Sequence, residues 1–138
     1  MTSRARTLLA VLALLTASAA ACSDDGPAPT LRIEVSSWNG WEEPAPGAEP
    51  RVAVHELRGA EGEEVTLDVL TGELRITVDE RDGDALRLEL DQEVAPLGSG
   101  GGMSLNDLQD EFALEAGDTV RFSTPTMDAG TTVEVTWP

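Results

Sequence analysis

The chain has no lysine, no tyrosine, one cysteine, one histidine and two phenylalanines among its 138 residues. Each scarcity removes a class of function. Without lysine, nine arginines stand against 26 Asp and Glu side chains, for a net charge of −17. So acidic a surface repels DNA, RNA and anionic lipid headgroups, because each adds like charge and forfeits the counterion release that drives nucleic-acid binding. No nucleic-acid partner is expected. A lone cysteine, Cys22, has no intrachain disulfide partner, so the fold must be held by its core. A lone histidine, His55, is the only side chain able to act as base in a Ser-His-Asp site, yet it follows Val54 in a strand-like run. No nucleophile-elbow sequence surrounds any serine. No catalytic set is expected.

What is present begins with an export leader. Arg4 and Arg6 form a positive n-region, and Leu8 to Leu15 form an apolar h-region. That run is shorter than the roughly 20 apolar residues of a membrane-spanning helix. Thr16 to Ala21 supply the small residues a signal peptidase accepts. Arg4 and Arg6 are separated by Ala5, so the general secretory route is favoured over the twin-arginine route. A free thiol just after a cleavage site would be exposed to oxidation outside the cytoplasm, which argues for a use of Cys22.

Ala19-Ala20-Ala21-Cys22 resembles the lipobox of bacterial lipoproteins, with Ala19 where the usual pattern has Leu. The resemblance covers about the first 22 residues. It implies that residues 1–21 are removed, that Cys22 is acylated and becomes the first residue, and that the protein resides on the extracytoplasmic face of the membrane. Residues 22–138 then number 117, and their seven arginines against 26 acidic side chains give −19. The acidity reads as a solubilising surface.

Residues 22–30 are polar with Pro and Gly and read as an acylated tether; residues 31–138 read as one domain with a modest core. Alternation dominates it. Leu31, Ile33 and Val35 interleave with Arg32, Glu34 and Ser36, and the same period of two recurs at Val65 to Val69, Leu74 to Val78, Leu86 to Leu90, Val120 to Phe122 and Val133 to Trp137. A blurred run over Val52, Val54 and Leu57 makes seven strands. Thr71-Gly72, Asp82-Gly83 and Gly117-Asp118 supply turns. The expected fold is all-β: an antiparallel two-layer sandwich of immunoglobulin-like type, by architectural analogy. One short helix is expected over 104–111, started by Ser104 and Asp107 and facing Leu108 and Phe112 inward.

Candidate sites are few. Gly117 to Phe122 has the flavour of a cupredoxin strand, but a blue-copper centre wants two histidines and a cysteine, so no copper and no other cofactor or metal is assigned. Asp79 to Asp84 invites a calcium reading, yet an EF-hand starting at Asp79 would put Arg81 at its third position and Leu90 at its twelfth, where a carboxylate is needed. Trp38-Asn39-Gly40-Trp41 is the one aromatic cluster outside the alternating runs. Trp38 and Trp41 either present a stacking surface for a sugar ring or a partner's apolar side chain, or cap the end of the core. The expected function is a membrane-anchored binding or adaptor module with an unknown protein or carbohydrate ligand. An accessory subunit of an envelope complex and a carboxylate-dependent enzyme are the alternatives.

Overall fold

The fold is that of a computed structural model, which describes residues 26–39, 45–47, 49, 51–98, 100, 102–124 and 128–138. Cys22, the leader and Trp41 lie outside these residues. Eight strands follow one another: β1 (Thr30–Asn39), β2 (Val52–Arg58), β3 (Glu64–Val69), β4 (Gly72–Asp82), β5 (Ala85–Pro96), β6 (Gln109–Glu115), β7 (Thr119–Ser123) and β8 (Ala129–Thr136). All pairings are antiparallel. The seven runs of alternation each become a strand, because a period of two puts one apolar row on one face of the pleat.

The strand order is β2-β1-β8-β7-β5-β4-β3, with β6 on the other side of β5. The expected sandwich has two separate layers. Here β5 belongs to both halves: its first part pairs with β4 and β6, and Ala95 and Pro96 then pair with β7. A register shift between Glu89 and Val94 bends the strand from one half into the other, as bulges do. The result is one continuous sheet curled nearly closed, barrel-like, with β2 and β3 touching at its ends without pairing.

The core lies inside the curl. Leu31, Ile33, Leu67, Leu74, Ile76, Val78, Leu88, Leu114, Phe122, Val133 and Val135 are fully buried there, together with Trp137 near the end of the chain. Phe112 on β6 stacks on Phe122 on β7, with centroids 5.0 Å apart, and so joins strands that do not pair. Gly83, at φ 57°, makes the tight β4–β5 turn that Asp82-Gly83 announces.

The expected helix over 104–111 is absent. Residues 105–107 form a turn, closed by a 3.1 Å hydrogen bond from Ser104 to Asp107, and β6 begins at Gln109. The spacing from Leu108 to Phe112 is four residues, which suits a helical face but is also two strand periods. Phe112 and Leu114 settle it by pointing inward while Ala113 and Glu115 face out.

Of the segment read as a tether, residues 26–30 are held to the domain. The Arg81 guanidinium donates to the Pro27 carbonyl at 3.1 Å and to that of Gly26 at 3.4 Å. Gly59 N–H donates to the Pro29 carbonyl at 2.7 Å. The chain therefore enters the domain beside the β4–β5 turn.

Candidate functional site

Trp38 lies near the end of β1, eight residues from Thr30, and so about 26 Å along the strand from the N-terminal entry. Its parity is that of Arg32 and Glu34, which puts it on the outer face of the sheet, away from the core of Leu31, Ile33 and Val35. It pairs across β1–β8 with Gly130. The indole lies over that glycine so closely that a Cβ there would meet the ring at 2.9 to 3.0 Å. Its Nε1–H donates to Ser123 Oγ at 3.3 Å, and Ser123 Oγ donates in turn to the Thr131 carbonyl at 3.1 Å. Trp38 is half-buried by these contacts, and it covers Ser123 and Gly130, which are buried although they belong to the outer face.

Beyond the indole is a groove of about 330 Å³ lined by Trp38, Leu97, Met103, Arg121, Ser123 and Thr132. Five segments build it. Leu97 continues from β5, its N–H bonding the Arg121 carbonyl at 3.0 Å, and forms an isolated antiparallel bridge with Met103. Arg121 is steadied by Glu134 at 3.0 Å. The lining thus combines an indole, a thioether and an aliphatic side chain with one guanidinium and two hydroxyls. Such a lining suits stacking on a ring or an apolar side chain with a few polar contacts for orientation.

Beneath this end, buried polar groups are satisfied rather than loose. Thr131 N–H donates to Thr124 Oγ1 at 3.0 Å, and Leu70 N–H donates to Thr131 Oγ1 at 2.8 Å. These bonds tie the β3–β4 turn to β8 and give Trp38 a stiff support.

The other sequence candidates lead elsewhere. His55 is half-buried on β2 opposite Ile33. In the acidic hairpin, Asp79 is taken by Arg87: Oδ2 accepts from Nε at 2.7 Å, and Arg87 also reaches Glu80 at 3.1 Å. The hydrogen bond to Asp79, with its charge, raises the Arg87 pKa further above its ordinary value. Asp82, Asp84 and Glu115 border a hollow beside the turn, but among the described residues no three His, Cys, Asp or Glu side chains converge to hold a metal ion. Leu97, Met103, Ser123 and Thr132 escape sequence reasoning because they come from separate strands and loops. Gly130 is the signal that could have found the site: a glycine inside a strand marks a close approach, here of Trp38.

No protein-family model, curated protein or solved structure matches this chain.

The fit of the indole on Gly130 is open to test. Gly130→Ala should lift the ring, weaken its bond to Ser123 and cost about 1–3 kcal/mol, the usual range for overpacking. Urea unfolding measures the cost, and the indole Nε1–H resonance of Trp38 reports the displacement. An unmoved resonance would mean that the strand yields instead of the ring.

Proposed function

We propose that the protein is a membrane-anchored, extracytoplasmic binding or adaptor module without catalysis of its own. In this reading Cys22 is the acylated first residue, the Trp38 groove is the recognition surface, and Trp41 is a second candidate binding residue. One observation carries it: the groove opens on the outer face at the end of β1 remote from the N-terminal entry, the end a tethered domain turns away from its membrane. The same reading takes the curled sheet as a sandwich-like frame, its β2-β1-β8-β7 half and its β3-β4-β5-β6 half packed on one core, with the loops of one end serving recognition. The ligand class that fits is a ring or apolar side chain stacked on the indole, from a glycan or a protein.

Titration with a panel of short glycans and a panel of peptides each carrying one apolar side chain, read at the indole Nε1–H resonances, tests this function. One panel should move the Trp38 resonance saturably, and Trp38→Ala should abolish the effect. Because Trp38 is half-buried, its truncation should cost less than the roughly 3–5 kcal/mol of a fully buried aromatic, so the variant stays folded. Panels that move no resonance, or only that of buried Trp137, would overturn the groove as a recognition site.

A further inference from the structure

Three strands carry an edge with no strand partner among the described residues: β2 and β3, which touch each other without pairing, and β6. A bare edge is a row of unpaired N–H and C=O groups, a template for another strand, and proteins commonly blunt it with charge, proline or a bulge. Two of the three are blunted here. β3 exposes Glu64, Thr66 and Asp68, and β6 exposes Asp110, Glu111 and Glu115. β2 instead exposes Val52 at 46%, Ala53, and Val54 at 51% over its first three residues, with its exposed charges, Glu56 and Arg58, confined to its last three. It contains no lysine or proline, and its register with β1 runs without a shift from Thr30↔Arg58 to Ser36↔Val52.

Charge separates the edges in the same way. Arg51 and Arg58 stand exposed at the two ends of β2, and neither has an ion pair among the described residues, whereas Arg32, Arg87 and Arg121 all do. Over residues 51–58 these two arginines outnumber the single acid, Glu56; β3 carries only acids, and so does β6. In a chain of net charge −17, the one apolar edge is also the one with positive ends.

We propose that β2 is a docking edge for an extended segment of a partner protein, one with β-branched side chains in alternation and acidic residues at its ends. The added strand would take main-chain hydrogen bonds from β2, lay its outer row beside Val52 and Val54, and set its acids against Arg51 and Arg58. A second copy of this chain fits less well. Antiparallel pairing of β2 with itself about its centre brings Arg51 against Arg58 of the other copy, and both copies carry the same large negative charge. The inference rests on neither the Trp38 groove nor the anchor.

The test uses the purified full chain in detergent and two labelled peptides of about ten residues, ample for one strand. Both alternate Val and Thr; one ends in Glu, the other in Arg. Fluorescence anisotropy should show saturable binding of the Glu-ended peptide and binding at least about tenfold weaker for the Arg-ended one. Val54→Glu should abolish binding and Val54→Thr should keep it, while hydrogen exchange in the wild type should show new protection confined to β2. Should Val54→Glu fail to fold, Arg51→Glu with Arg58→Glu replaces it, and that pair should reverse the preference between the peptides. No binding of the Glu-ended peptide, equal binding of both, or binding indifferent to these substitutions would overturn the proposal. So would light scattering that shows self-association abolished by Val54→Glu, since the edge would then belong to a second copy.

Discussion

Leu88→Ala is expected to destabilise the domain by about 2–5 kcal/mol, a large part of the 5–15 kcal/mol that holds a typical small domain together. Leu88 is 0% exposed and lies opposite Val78 on β4 and Phe112 on β6. Removing its methyl groups opens a cavity beside the Phe112–Phe122 stack, where the two halves of the curled sheet meet. β4 and β5 are hydrogen-bonded to strands on both sides and resist collapse into the gap, so both the transfer and the cavity costs are incurred. Ile76, also 0% exposed and paired with Val65 and Leu90, should behave alike. Arg75→Ala and Glu89→Ala, on the exposed face of the same strands, should change stability by less than about 0.5 kcal/mol. Urea denaturation of the four variants decides the matter, and outward changes as damaging as the inward ones would put the register wrong by one residue.

The strands were legible because a period of two is a local property: Leu74, Ile76 and Val78 declare one face whatever lies across from them. β6 was not, since Ala113 between Phe112 and Leu114 hides the alternation and the four-residue step from Leu108 to Phe112 fits both periods. The blur over Val52, Val54 and Leu57 has a physical source. Leu57 faces the core opposite Leu31, whereas Val52 and Val54 face out beside Ser36 and Glu34, so the strand is apolar on both faces. Curling of the sheet depends on β5 changing partners after Glu89, a long-range choice that no single segment announces. The same holds for the candidate site. Trp38 stands out in the sequence, and its parity with Arg32 and Glu34 marks the outer face. Its half-burial depends on Gly130 and Ser123, about 85 to 92 residues away along the chain, and only the register of β1, β8 and β7 brings them beneath it.

Cys22→Ser is expected to move the protein from the membrane to the soluble fraction. Under the proposed reading the wild type carries two long acyl chains on Cys22, and at about 0.8 kcal/mol per buried methylene such a pair gives stable anchoring, where a single chain would be marginal. Serine offers no thiol for the acyl transfer, so partitioning should change from nearly all bound to nearly all released. The domain itself should be untouched, because among the described residues its first contacts with the entry segment are those of Arg81 and Gly59 with Gly26, Pro27 and Pro29. From Cys22 to Gly26 the chain spans at most about 14 Å. Anchoring would therefore hold the β4–β5 turn close to the lipid surface and send β1 outward, with the Trp38 groove at the far end. Arg81→Ala supplies the complementary measurement: it removes the bonds to Gly26 and Pro27 while leaving the anchor intact, so membrane residence should persist. Fractionation by ultracentrifugation of cells expressing the wild type and each variant reads both results. Equal partitioning of wild type and Cys22→Ser would remove the lipoprotein reading, and release by Arg81→Ala would shift the membrane contact from Cys22 to the domain surface.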